Sequence, residues 1–373
     1  MYYPYIGTIS SGQIMSNPIY YQGNMVSNDV TWETVTSTNV GVDLGLFKNR
    51  LTFTGDYYWK TNDDMLARVR VGNIVGYKAE NLAYQNAGIL KTWGWEVSLQ
   101  WRDKIGKVGY NVGFNIDDSQ NRLDKYAGNN VIQEGANRLI EGYAMNTIWG
   151  YKTDGFWNSR QEYLDYKTAH PGYQSWNDGM IAGGDTKYLA QGTPDHTIGV
   201  GKGTPADHGD LVYLGNSNGR YNFGVNLGIQ WNGFDLSALF QGVGQRTFIV
   251  DASTLAINAN SYQMPWTIQE DYWTPTNTDA YFARPYKGSN FNYHTADRWV
   301  QNGAYIRLKN IQLGYNIPLK VSFIQSIRAY VSGSDVWESS KALSVFDPEV
   351  GNNQSPTYYP FFRTWMFGLN VTF

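Results

Sequence analysis

The sequence predicts an all-β fold: an antiparallel transmembrane β-barrel wall of about eleven strands, with long loops on one rim and short turns on the other. Three observations predict it. First, the closing segment alternates. Trp365, Phe367, Leu369, Val371 and Phe373 share one face of an extended chain, and Thr364, Met366, Gly368, Asn370 and Thr372 share the other. Second, the composition suits strands and turns rather than helices, with 16% aromatic residues, 29 of them Tyr, and 40 Gly. Third, short and long connections alternate along the chain, a regularity for which a soluble β-sandwich supplies no reason.

The elements follow in order. Residues 1–32 are rich in Tyr, Asn, Ser and Gly without a sustained period and read as a loop segment on the outer rim. Residues 33–373 carry the wall. Val35 to Phe47 alternates in part. After a turn at Lys48-Asn49, Leu51, Phe53, Tyr57 and Trp59 oppose Thr52, Thr54, Asp56 and Lys60. Residues 94–102 set Trp95, Val97, Leu99 and Trp101 against Glu96, Ser98, Gln100 and Arg102. A turn at 103–106 leads to Val108, Tyr110, Val112, Phe114 and Ile116, which alternate with small and polar residues. The less regular segments 131–143 and 147–157 read as two further strands around Met145-Asn146.

A long excursion over 158–216 contains a helical stretch, Arg160–Thr168. The pattern resumes with Phe223, Val225, Leu227, Ile229 and Trp231. Asn232-Gly233 then signals a two-residue hairpin, because a type I′ turn needs positive φ at both positions. Phe234, Leu236, Ala238 and Phe240 continue the partner strand. A second excursion, 249–297, holds a short helix near Pro265–Tyr272. Strands at 300–317, 325–338 and 361–373 close the chain. Many of these strands run 10–16 residues. Soluble strands usually have about 5–6, whereas tilted membrane strands need about 9–11.

Composition also excludes. The net charge is −3 with no basic block, which argues against nucleic acid as a partner. Cys is absent, which removes disulfides, thiolate nucleophiles and Cys-ligated metals. No run of 18 apolar residues exists. The mean hydropathy of −0.45 does not argue against a barrel, whose strands alternate and escape such averages. His170, His196, His208 and His294 are scattered over loops with no paired metal-ligand spacing, and no catalytic constellation emerges, so the expectation is a non-enzyme.

Several stretches, in this order along the chain, are similar to the carboxy-terminal half of SusC/RagA-like TonB-dependent outer-membrane transporters. They include SNDVTWET (27–34), GLFKNRLTFTGDYY (45–58), GWEVSLQWRDKIG (94–106), EGYAMNTIWGYKTDGFW (141–157), VYLGNSNGRYNFGVNLG (212–228), GFDLSALFQGVGQR (233–246), YIRLKNIQLGYNIP (305–318) and YPFFRTWMFGLNVTF (359–373). The resemblance implies a barrel of about 22 strands, occluded by a plug, of which this chain would supply half. It implies import of glycan oligosaccharides or peptides across the outer membrane of a Gram-negative bacterium, with energy from TonB, ExbB and ExbD and a SusD-like surface lipoprotein as lid. The last strand would carry the signal read by the barrel-assembly machinery, with Trp365, Phe367, Leu369, Val371 and Phe373 facing outer-membrane lipid. No plug, TonB box or signal-peptide pattern is legible in these residues, so the expectation is a fragment of a larger transporter. Two other readings stay open: a passive porin or adhesin barrel, and a soluble β-rich carbohydrate-binding domain.

Two sets of residues are candidates for ligands. Trp149, Trp157, Tyr163, Trp176, Trp266 and Trp273 fall in or beside the loop excursions. Exposed aromatic faces there could stack on sugar rings or peptide side chains, or simply pack the loops. The resemblance also places a calcium-type run of oxygen ligands between Gly184-Asp185 and the VYLG strand. Asp185, Asp207 and Asp210 match that frame, but residues 198–206 lack its alternating Asp and Asn.

Overall fold

The computed structural model describes residues 25–69, 81–128, 130–137, 139–257, 265–318, 323–350 and 361–373, with the backbone of two short strands, Tyr5–Thr8 and Pro18–Tyr21. Those two strands pair as a small antiparallel ribbon inside the segment read as loop.

The wall is one antiparallel sheet of nine strands, each hydrogen-bonded to its neighbour in sequence. They are β1 (Thr34–Leu46), β2 (Leu51–Arg68), β3 (Tyr84–Ile105), β4 (Val108–Tyr126), β5 (Arg220–Trp231), β6 (Phe234–Gln245), β7 (Tyr305–Ile317), β8 (Ser326–Ser340) and β9 (Thr364–Thr372). Strands β1 and β9 form its two edges.

The register sorts side chains into continuous rows. Leu46, Leu51, Trp101, Val112, Leu227, Ala238, Ile311, Gly333 and Trp365 are successive cross-strand partners from β1 to β9. The row one residue away reads Gly45, Thr52, Gln100, Gly113, Asn226, Leu239, Asn310, Ser334 and Thr364. A one-residue step thus exchanges an apolar row for a largely polar one, as the strand period requires. On the apolar face Val42 is 50%, Ile229 45% and Leu313 45% exposed. An apolar surface spread over a whole sheet has no stable place in water but matches the hydrocarbon-facing side of a barrel.

The connections sort by length. Residues 47–50, 106–107, 232–233 and 318–325 join strands at one rim, and 69–83, 127–219, 246–304 and 341–363 at the other. Asn232 and Gly233 have φ of 50° and 88°, as the expected type I′ turn requires.

Two expectations need correction. Segments 131–143 and 147–157 are not wall strands, so the described wall has nine strands rather than about eleven. They contribute only Gly135–Asn137, Thr147–Gly150 and Lys152–Phe156 to small sheets above the wall. All four residues of Thr147–Gly150 are buried, so neither face of that strand is available to lipid or to a lumen. The expected rim turn at 144–146 therefore lies within the long connection 127–219. The other correction concerns length. Strand β3 begins at Tyr84, not near 94, and β2 and β4 run on to Arg68 and Tyr126. Beyond the band the pairing continues but the alternation does not: Met65 and Leu66, and Ile89 and Leu90, are adjacent apolar residues, and register shifts interrupt the ladder there.

Candidate functional site

The connections 127–219 and 246–304, with the start of 341–363, fold into one assembly above the long-loop rim. Its core is aromatic: Trp149, Tyr151, Trp157, Tyr163, Tyr173, Tyr188, Phe282, Tyr293 and Trp299 are buried together, and Phe346 joins them. Helix α1 (Arg160–Ala169) lays Tyr163 and Tyr166 against Trp157, with ring centroids 5.2 and 5.4 Å away. It starts where the sequence places it. The Ser159 hydroxyl accepts from the Glu162 amide at 3.0 Å, and the Glu162 carboxylate accepts from the Asn158 amide at 2.7 Å. The helix expected near Pro265–Tyr272 is a single 3₁₀ turn, Thr267–Glu270, where the Gln269 side chain accepts from the Trp266 amide.

Polar contacts join segments far apart in sequence. Glu134 accepts from the Thr295 amide at 2.6 Å and lies 2.9 Å from the His294 ring. Asp297 accepts from the Thr153 amide and hydroxyl, and Thr186 bonds the Asn292 side chain and carbonyl. The assembly is anchored to the polar face of the wall through Arg307 on β7. This side chain is 1% exposed and pairs with Glu338 of β8 at 2.5 Å and Asp347 of the last connection at 2.7 Å. Such a buried cluster holds its members in one arrangement, because removing one partner leaves another charge uncompensated.

The candidate aromatics fall mostly inside this core. Trp157, Tyr163, Trp149 and Trp273 are 0%, 1%, 2% and 6% exposed, so the expectation of an open stacking surface does not hold for these four. The apolar rings are drawn inward because the long connections must build their own core. Trp176 is partly covered and stacks on His294 at 3.8 Å, and Trp266 keeps part of its surface open. On the last strand Trp365, Phe367, Leu369, Val371 and Phe373 are 58%, 83%, 68%, 42% and 77% exposed. Of these, Trp365, Phe367, Leu369 and Val371 pair with Gly333, Val331, Ala329 and Ile327 of β8.

The calcium-type frame is put to another use. Asp185 is buried and accepts from the Ala182 amide at 2.8 Å, the Tyr286 hydroxyl at 2.9 Å and the Asn292 amide group at 3.0 Å. Asp210 accepts from the Gln191 and Gly199 amides at 2.7 and 2.8 Å and lies 2.8 Å from His196. Asp207 sits apart, 3.9 Å from Lys202. The oxygens a cation would need therefore face N–H and O–H donors, and among the described residues no three His, Asp or Glu side chains gather around one point. These residues do not fit a calcium site.

Burial pushes the Asp185 carboxyl above its usual range, while the Asn292 and Ala182 hydrogen bonds favour the anion. Burial does the same to Asp178, which the Tyr163 hydroxyl and Lys167 both reach. A raised native pKa means the folded assembly holds the proton more tightly than the unfolded chain. Its stabilising contribution is complete below the unfolded carboxyl pKa and is lost as pH rises through the folded one. Proteolysis of the 178–190 segment is therefore expected to quicken as pH rises from about 4 toward neutrality, and Asp185→Asn should flatten that slope. A slope unchanged in Asp185→Asn would contradict this assignment. Asp185→Ala leaves three donors unanswered and is expected to weaken the assembly by about 1–3 kcal/mol, read as faster amide exchange around 182–186 and 286–292.

Sequence reasoning missed one feature. A cavity of about 190 Å³ lies where the ends of β4, β5 and β6 meet the strand Val212–Asn216. Tyr213, Arg220, Gln245 and Thr247 line part of it. Their positions gave no periodic signal, because the cavity forms only when separate segments of the chain, around residues 119–121, 144, 213–220 and 245–247, converge.

The comparisons with known proteins agree with this architecture. Residues 2–183 match the family described as TonB dependent receptor-like, beta-barrel. TonB-dependent receptor P3 of Formosa agariphila is 27% identical over 384 residues, covering 94% of this chain and 35% of that protein. TonB-dependent receptor SusC of Bacteroides thetaiotaomicron is 22% identical, covering 93% of this chain and 32% of that protein. The solved structure of the RagAB peptide transporter matches the whole chain with a TM-score of 0.74 at 20% identity. The chain is similar to the TonB-dependent receptor β-barrels in sequence over residues 2–183 and in fold throughout. The chain spans about a third of the length of the curated relatives it matches, 35% of one and 32% of another. It also covers 38% of the RagAB chain, whose likeness bears on the fold.

Proposed function

We propose that this receptor chain forms part of the wall and the outer loops of an outer-membrane importer for oligomeric nutrients, either glycan oligosaccharides or peptides. TonB with ExbB and ExbD would supply the energy. A SusD-like surface lipoprotein would close over the loop rim. The observation that carries this reading is the combination of a wall apolar on one face and polar on the other with a stitched loop assembly at one rim only. A passive barrel needs the wall but not a large aromatic-cored rim. The rim offers a rigid landing surface for a lid, because it is anchored at Arg307 and cross-linked by Glu134, Thr186 and Asp297.

The test is genetic. Deleting the gene that encodes the receptor should abolish growth on one class of oligomer, oligosaccharide or oligopeptide, as sole nutrient. The intact gene should restore it, and the same gene in a strain without TonB should not. Undiminished uptake without TonB would favour the passive porin reading, and growth unaffected on every oligomer would remove the importer reading.

A further inference from the structure

We propose that the short-turn rim beside β1–β4 binds the phosphate headgroup of an acidic phospholipid in the inner leaflet of the outer membrane. The inference rests on the membrane-wall part of the proposed function and is independent of what is imported.

Charge singles out this rim. Residues 47–50 and 101–108 hold five cations, Lys48, Arg50, Arg102, Lys104 and Lys107, against one acid, Asp103, in a chain of net charge −3. All five cations are exposed. Arg50 pairs with Asp103 at 3.1 Å, and the other four form no ion pair among the described residues. The two segments are adjacent: Leu51 and Trp101 are cross-strand partners, and the Arg102 amide donates to the Arg50 carbonyl at 2.8 Å. Asp235, which lines a rim cavity with Lys104 and Lys107, is already answered by Arg328 at 2.5 Å. The rim therefore keeps an excess of positive charge.

Backbone geometry adds donors for an anion. Phe47, Lys48 and Asn49 have φ of 54°, 60° and 61°. Three successive left-handed residues, none of them glycine, are costly for an L-chain. The same rim turns at Asn232-Gly233 with two residues, one of them glycine, so chain reversal alone does not require the costlier run. Successive amides in such a turn point to one side and form a concavity suited to an anion. Among the described residues no backbone carbonyl engages the Lys48 or Asn49 amide. Free amides flanked by Lys48 and Arg50 match the oxygens of a phosphate.

Position decides where that phosphate comes from. Phe47 is 66% and Ile105 69% exposed, and the Phe47 ring meets Trp101 at 5.9 Å. Trp101 and Ile105 share the apolar face of β3, as their even spacing requires. Aromatic residues at the end of a barrel's apolar band mark the boundary between hydrocarbon and headgroups. Cations one or two residues beyond that boundary reach the phosphate level, with their stems laid along apolar surface. Basic clusters at this level attract acidic lipids. Short turns of bacterial outer-membrane barrels face the periplasm, so the leaflet is the inner one. A soluble phosphate would leave the exposed Phe47 and Ile105 beside the cations without a role.

The experiment uses native mass spectrometry of the full-length receptor in detergent, titrated with dioleoyl-phosphatidylglycerol and, as the zwitterionic reference, dioleoyl-phosphatidylcholine. The unaltered receptor is compared with Lys48→Gln/Lys107→Gln and with Lys91→Gln/Lys125→Gln, which removes two cations toward the opposite rim. Heat-modified gel mobility verifies that each variant keeps its barrel. Phosphatidylglycerol is expected to bind the unaltered receptor at least thirtyfold more tightly than phosphatidylcholine, roughly fivefold for each basic residue at the lipid surface. That preference should fall about thirtyfold in Lys48→Gln/Lys107→Gln and hold in Lys91→Gln/Lys125→Gln. No preference in the unaltered receptor would overturn the site, as would an equal fall in both variants or none in the first. Displacement of the lipid by inorganic phosphate as effectively as by a short-chain phosphatidylglycerol would overturn the lipid as its occupant. These results leave the membrane-wall reading intact, which partition of the receptor into outer-membrane fractions tests separately.

Discussion

Leu227→Arg is expected to stop the receptor from assembling in the membrane, while Asn226→Arg, one residue away, is expected to be tolerated. Leu227 lies in the middle of β5, paired with Val112 of β4 and Ala238 of β6 in the apolar row that crosses the sheet. Arginine on the lipid face near the midplane of a barrel costs about 2–4 kcal/mol, because hydrocarbon offers the guanidinium no partner. Asn226 pairs with Gly113 and Leu239 on the opposite face, where water or lumenal side chains can solvate the same group. The measurement is the yield of heat-modifiable receptor in outer-membrane fractions. Equal yields for the two variants would mean that the two faces do not differ in environment.

Trp157→Ala is expected to unravel the loop assembly without touching the wall. Trp157 is fully buried, and edge-on rings of Tyr163, Tyr166 and Tyr173 surround it. Its backbone amide donates to the Asp185 carbonyl and its carbonyl accepts from the Gly184 amide. Lys187 Nζ sits 4.9 Å from its ring centroid. Removing a buried Trp side chain costs about 3–5 kcal/mol. That is enough to open a local unit around this ring, which lies apart from the wall contacts at Asn121, Leu123, Tyr126 and Arg307. The variant should show new protease cleavage between residues 157 and 190 while heat-modifiability of the barrel persists. Loss of the barrel itself would show that assembly and wall are one cooperative unit.

What the sequence revealed follows from where side chains meet a single environment. Along β5 and β9 one face is apolar and the other small or polar, so Val225, Leu227 and Ile229, and later Trp365, Phe367 and Leu369, betray the strand by parity. The helix read over Arg160–Thr168 forms over Arg160–Ala169, and the structure shows Ser159 and Glu162 capping its start by local chemistry. The strand Thr147–Gly150 was not legible, because it is buried on both faces and imitates the apolar residues of a wall strand. The loop aromatics show the same limit. Trp149, Trp157, Tyr163 and Trp273 look alike in sequence whether they face ligand or core, and only the convergence of distant segments decides. Asp185 and Asp210 match a calcium-type frame by spacing, yet their oxygens answer backbone amides, which no spacing discloses. The cavity at Tyr213 belongs to the same class, since its lining comes from separate regions of the chain.

The central claim is that the apolar face of the nine-stranded sheet meets lipid and its polar face meets water. These 373 residues contain 0 Cys, so each position of a single-cysteine scan along β5 from Phe223 to Gln230 adds the one thiol of this stretch, any Cys elsewhere in the full-length protein being replaced by Ser first. Spin labels on the full-length receptor in liposomes report collisions with oxygen, which concentrates in lipid, and with a water-soluble nickel chelate. Labels at Phe223, Val225, Leu227 and Ile229 should favour oxygen, and labels at Gly224, Asn226, Gly228 and Gln230 the chelate, in strict alternation. Labels at Phe223, Val225, Leu227 and Ile229 shielded from both reagents would indicate a second sheet or core packed on that face, and would contradict the membrane-wall account.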